Sequence, residues 1–197
     1  MIIDAHTHVW PDRIAEIALS SSVDKLDNLT ARGDGTVGGL MSDMSGSGVD
    51  LSCCLGIANE ARHVDSVNRF VAGLESDVRF GFGTVHVDLP VEENIASLKR
   101  HGIRGVKIHP LYQGFALDDP RLWEILDAFG EEFAVITHVG AGGTPEANRL
   151  SNPKMVRDIA RQFPGLRLTA CHFGGYKLLD DAEEMLAGAD IVLETSW

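Results

Sequence analysis

The chain has no run of lysine or arginine: 17 basic residues stand against 29 acidic ones, a formal net charge of −12. A polyanion such as nucleic acid, or the anionic face of a membrane, finds no basic patch to bind. No apolar stretch approaches the ~18 residues a membrane span requires, and Met1 leads into a strand with no basic leader, so neither a span nor a signal peptide is expected. Cysteine is scarce. The three present, two of them adjacent at Cys53 and Cys54, make no disulfide framework and point to a reducing cytoplasm. What remains is a 197-residue chain with 44% hydrophobic content, enough for one core and one domain over 1–197. A partner of small-molecule size fits this composition, and a homo-oligomer is compatible with it.

Apolar runs alternate with amphipathic ones along most of the chain. A first strand from Ile2 ends in His6 and His8 and is stopped by Pro11, and a long connection follows with helical spacing near Arg13–Leu19 and Val37–Met44 around a mobile-looking Gly33-Asp34-Gly35. Strands are then expected at Leu51–Ala58, Val78–Val87, Arg104–His109, Phe133–Val139, Leu166–Phe173 and Asp190–Trp197. Helices are expected at Asn59–Leu74, Val91–His101, Pro120–Phe129, Pro153–Phe163 and Tyr176–Ala187. Strands apolar on both faces and separated by helices describe a parallel sheet covered by helices, either an open doubly wound sheet or a (β/α)₈ barrel.

The histidines decide between the two. His6 and His8 end the first strand, His109 the fourth, His138 the fifth and His172 the sixth. A barrel brings the C-terminal ends of its strands round one centre, whereas an open sheet leaves them spread along an edge. We therefore expect an α/β fold of TIM-barrel type, with seven strands in this chain and the eighth lacking. His6 and His8, spaced i, i+2 on a strand, point the same way about 7 Å apart and can converge on one ion.

Four motifs, in register over the whole chain, carry a resemblance: Asp4-Ala5-His6-Thr7-His8-Val9-Trp10-Pro11, Gly105-Val106-Lys107-Ile108-His109-Pro110, Thr137-His138-Val139-Gly140 and Ala170-Cys171-His172-Phe173-Gly174-Gly175. Together they resemble the amidohydrolase superfamily, and more narrowly its branch of decarboxylases, lactonases and hydratases that includes aminocarboxymuconate-semialdehyde decarboxylase. The resemblance implies one divalent metal, most simply zinc, on His6, His8 and His138, with His172 in catalysis. It also implies an aspartate ending an eighth strand, which these 197 residues do not contain. On that reading the protein is a metal-dependent hydrolase of a small amide, ester or lactone. Two alternatives stay open: a metal-dependent decarboxylase of a small unsaturated or aromatic acid, and an incomplete barrel without turnover.

Other residues are weighed beside these. His109 is a candidate for substrate contact, with Trp10 and Tyr112 at the pocket mouth. Lys107 is read as paired with a carboxylate inside the barrel, and Asp4 as outer support for a ligand. Cys171 and His172, as neighbours on a strand, should face opposite ways, which argues against a Cys-His nucleophile. Gly174 and Gly175 offer backbone N–H groups either to a substrate carboxylate or to a tight turn. His86 ends the third strand and is ambiguous, and His63 and His101 are read as surface groups.

Overall fold

The structure is a computed structural model that describes residues 1–23, 31–140 and 145–196. Seven parallel strands pair strictly in chain order: β1 (Ile3–Thr7), β2 (Leu51–Leu55), β3 (Arg79–Thr84), β4 (Gly105–Ile108), β5 (Ala134–Thr137), β6 (Arg167–Ala170) and β7 (Val192–Leu193). Helices fill the crossovers: α1 (Asp12–Val23) and α2 (Val37–Ser47), then α3 (Val64–Ala72), α4 (Val91–Arg100), α5 (Pro110–Gln113) and α6 (Pro120–Phe129). They continue with α7 (Pro145–Leu150), α8 (Pro153–Gln162) and α9 (Leu179–Leu186). Sequential parallel pairing of this kind curls into a barrel wall, and here the wall carries seven strands with β1 and β7 at its two edges.

Local sequence explains the helix starts. Thr36, Asp119 and Asn152 each cap a helix by accepting a backbone N–H, and Pro120 and Pro153 follow at positions where a missing N–H costs nothing. α4 opens on Glu92 and Glu93 and closes on Lys99 and Arg100, both ends matched to the helix dipole. Gly33-Asp34-Gly35 is more tightly knit than its composition suggests. The Trp10 N–H donates to the Gly35 carbonyl at 2.9 Å, and Asp34 accepts from the Thr36 backbone and hydroxyl.

Strand alternation sorts the two faces. Val106, Ile108, Val135, Leu168 and Ala170 point outward into the main core, where Leu98, Leu122, Leu126, Phe129 and Val156 of the helices meet them. Leu55, Ile136 and Cys171 pack in a second cluster with Cys53 and Phe82, which fills the inner side. Lys107 is fully buried. The inward parity of Lys107 carries on to His109, and that of Ile136 to His138, so the barrel interior leads up to a mouth ringed by imidazoles. No helix among the described residues is long and apolar enough to cross a membrane.

Candidate functional site

At the C-terminal mouth of the sheet lies a cavity of about 360 Å³ whose lining includes all five expected histidines, with Trp10, Tyr112 and Tyr176 on its walls. Its floor is a chain of rings. His6 and His8 stand edge to face at 5.1 Å and His172 and His138 at 4.6 Å, His6 and His172 are tilted at 5.1 Å, and His138 stacks on His109 at 4.0 Å. Tyr112 stacks on the other face of His109, also at 4.0 Å, and Trp10 lies over His8 at 6.3 Å.

The acceptors around these rings fix their tautomers, because a carbonyl or carboxylate oxygen can only accept. His8 Nδ1–H donates to the Leu55 carbonyl at 3.0 Å, and His6 Nδ1–H donates to Glu194 Oε2 at 3.0 Å. His172 Nδ1–H donates to the Ser196 carbonyl at 2.9 Å, which leaves its Nε2 to accept from His138 Nδ1–H at 3.0 Å. His6, His8 and His138 therefore all keep an unprotonated Nε2, and that of His6 faces the Lys107 ammonium at 3.2 Å. The Nε2 atoms of His6 and His8 lie 3.2 Å apart, close to the ~3.3 Å edge that two nitrogens bound at about 2.0–2.1 Å make on a tetrahedral zinc. Among the described residues His138 Nε2, which is buried, has no hydrogen-bond partner, an orphan of the kind an ion would satisfy.

Burial, reinforced by neighbouring positive groups, holds the His6 pKa down at about 4, and it holds His8, His109 and His138 well below the ordinary imidazole value. The rings are thus neutral near pH 7, as ligation requires. Burial pushes the Glu194 carboxyl up, but hydrogen bonds from His6 and Ser196 outweigh it and bring it to about 2.

The three expected ligands do not all converge. Among the described residues, the donors that lie within 4.8 Å of one another are those of His6, Cys171 and Glu194. His138 stands one ring further along, joined through His172, and must move toward His6 and His8 to share an ion with them.

Several expectations are corrected. Among the described residues no carboxylate lies within ion-pair distance of Lys107 Nζ. This nitrogen lies 3.2 Å from His6 Nε2 and 3.4 Å from Cys171 Sγ, because the interior carboxylate, Glu194, is engaged by His6 and Ser196. Asp4 is exposed and accepts the His6 backbone N–H at 3.0 Å rather than a ring nitrogen. Cys171 and His172 both reach the site. Cys171 points in by alternation from Ala170, and His172 is swung after it by a left-handed backbone, φ 58°. The N–H groups of Gly174 and Gly175 are spent on the Cys171 and His172 carbonyls, so these glycines make the turn. His101 is largely covered and contacts Asp65 at 3.1 Å, whereas His63 is exposed as expected. His86 is buried, with its ring edge-on to Phe115.

Three residues with a place in the site were missed. Gln113, in the short helix after His109, accepts the His109 N–H at 2.8 Å and donates to the Val85 carbonyl at 2.7 Å, which fixes the ring's position. Glu194 binds His6, and Ser196 binds both His6 and His172. Their i, i+2 spacing on an expected strand was the available signal, and it matches the spacing that singled out His6 and His8.

A parallel, barrel-forming wall whose strand ends gather neutral histidines defines a protein of the TIM-barrel class. A family model described as Amidohydrolase matches residues 3–197, and the chain belongs to the amidohydrolase family, a family of enzymes. No match is found among curated proteins. Among solved structures, an uncharacterised TIM-barrel protein from Bordetella bronchiseptica is similar at 17% identity and a TM-score of 0.74, over 99% of this chain and 75% of that one. An amidohydrolase from Burkholderia multivorans with bound zinc is similar at 15% identity and 0.65, over 100% and 70%. A probable 2-pyrone-4,6-dicarboxylic acid hydrolase from Acinetobacter baumannii with citric acid bound is similar at 16% and 0.60, over 99% and 70%.

Proposed function

We propose that the protein is a metal-dependent hydrolase of a small ester, lactone or amide, with one divalent ion, zinc by first choice, held by His6, His8 and His138. The observation that carries this reading is the shared tautomer. Three neutral imidazoles keep their Nδ1–H groups bound to other groups and turn unprotonated Nε2 atoms inward, two of them 3.2 Å apart with no hydrogen to share. The zinc-bound Burkholderia multivorans amidohydrolase of the same fold supports the choice of metal. An ion in such a site polarises a carbonyl and lowers the pKa of water toward about 7.

The chain's own residues supply the rest. Neutral His172, with Nδ1–H fixed on the Ser196 carbonyl, presents Nε2 as a base, and this nitrogen is released when His138 turns toward His6 and His8. His172 is then the catalytic proton acceptor, returning the proton to the leaving group. His109, Tyr112 and Trp10 form an aromatic wall beside it, rigid through stacking and through the Tyr112 hydroxyl bond to the Ser22 carbonyl at 2.8 Å, and suited to a flat acyl group. The 2-pyrone-4,6-dicarboxylic acid hydrolase relative supports a lactone as the first substrate to try.

The test is an assay of chelator-stripped chain on esters, lactones and amides, before and after zinc is returned. Hydrolysis should appear only with the metal, and His172→Ala should lower kcat by about 10²–10⁴-fold with KM little changed. Release of CO₂ from an aromatic or muconate-type acid, without hydrolysis, would assign a decarboxylase instead. Absence of any turnover by zinc-loaded chain would leave the non-catalytic barrel.

A further inference from the structure

We propose that Glu194, held by Ser196, is the positioning residue of His6: it fixes the ring's tautomer and aim and so sets the affinity of the metal site. This rests on the reading of His6 as a ligand. Glu194 follows directly on β7, the strand edge opposite β1, and its side chain and that of His6 are 8% and 7% exposed. The carboxylate is fully engaged. Oε2 accepts from His6 Nδ1–H at 3.0 Å and from the Ser196 hydroxyl at 2.7 Å, and Oε1 accepts the Ser196 backbone N–H. A carboxylate held in this way fixes the angle of the imidazole, whose Nε2 lies 3.2 Å from both His8 Nε2 and Lys107 Nζ.

Ser196 doubles the effect. Its hydroxyl lies 2.8 Å from His6 Nδ1 and 3.2 Å from His172 Nδ1, and its carbonyl takes the His172 Nδ1–H. Two residues of one short segment thereby set the orientation of rings from the first strand and from the turn after β6. Among the described residues β1 and β7 are not paired with each other by backbone hydrogen bonds, and this clamp is a polar link between the two edges of the sheet at the mouth. A carboxylate that accepts the far N–H of a metal-binding imidazole raises its basicity and prepays its orientation, and losing one typically costs about 10–100-fold in metal affinity.

The experiment is a zinc titration of the full chain by calorimetry against a competing chelator, for wild type, Glu194→Gln and Ser196→Ala. It is paired with cobalt(II) spectra at saturation and with imidazole N–H proton resonances of the metal-free protein. Glu194→Gln should bind zinc about 10–100-fold more weakly, keep the wild-type cobalt band pattern, and move the downfield His6 Nδ1–H resonance upfield in the metal-free state. Ser196→Ala should weaken binding in the same direction and by less, and it carries the test if Glu194→Gln does not fold. Zinc affinity of Glu194→Gln within about twofold of wild type, with the resonance unmoved, overturns the proposal while the ligand role of His6 stands. A sulfur-to-cobalt band that disappears in Cys171→Ala would put the ion in the group formed by His6, Cys171 and Glu194 and also overturn it. Wild type that binds no zinc overturns both this proposal and the function on which it rests.

Discussion

Neutral imidazoles packed against one another carry a cost that appears in acid. Burial, with the positive groups nearby, depresses the His6 pKa from 6.5 to about 4 and lowers those of His8, His109, His138 and His172 as well. Below pH 6.5 the unfolded chain takes up protons at these positions and the folded chain does not, so stability rises with pH through this window and is lost as pH falls. Glu194 acts in the same direction lower down. Its folded pKa of about 2 lies under the ordinary 4.5, so its contribution is present above 4.5 and disappears as pH falls toward 2. Thermal midpoints measured from pH 7.5 downward should therefore decline from about 6.5 and keep declining past 4.5. A midpoint that stays flat between about pH 7 and pH 5 would mean that these rings are not held neutral in the fold.

At the scale of elements, the end of β5 is tied to the turn after β6 by one close backbone approach. Gly140 sits at φ 75°, bridges Tyr176, and leaves no room for a Cβ, which would meet the Tyr176 nitrogen at 2.7 Å. Gly140→Ala combines a left-handed backbone with this clash and should cost about 2 kcal/mol or more, read as a lowered urea midpoint at unchanged slope. A loss under about 0.5 kcal/mol would show that the approach is not needed.

The alternation that places these elements is legible in the sequence because strands such as Gly105–Ile108 and Ala134–Thr137 are buried on both faces and contain little but apolar residues. Their register then puts His109 and His138 at the mouth without further information. Elements that rest on tertiary contact are not legible. α5 exists because Gln113 reaches back to His109 and Val85, and β7 pairs over only Val192 and Leu193 where a longer strand was expected, with Trp197 outside the described residues. The inward turn of His172 depends on a positive φ at a non-glycine residue, which no alternation rule anticipates. Glu194 was read only as part of a strand, because its significance lies in His6, 188 positions away.

For the whole molecule, both sheet edges carry exposed apolar side chains among the described residues. Ile2 and Ile3 at one edge and Val192 and Leu193 at the other are 41–62% exposed, and edge strands of this character pair readily with other chains. Light scattering should show a mass that grows with concentration, and Val192→Lys should suppress the growth. A constant monomer mass over the same range would show that the edges are protected. The central claim, that the mouth is a histidine-built metal centre, is tested most directly by zinc K-edge X-ray absorption on the zinc-loaded chain. The account predicts a first shell of nitrogen and oxygen alone at about 2.0–2.1 Å, with the outer-shell scattering of coordinated imidazoles. A sulfur at about 2.3 Å, from Cys171, or a chain that retains no zinc at all, would contradict it.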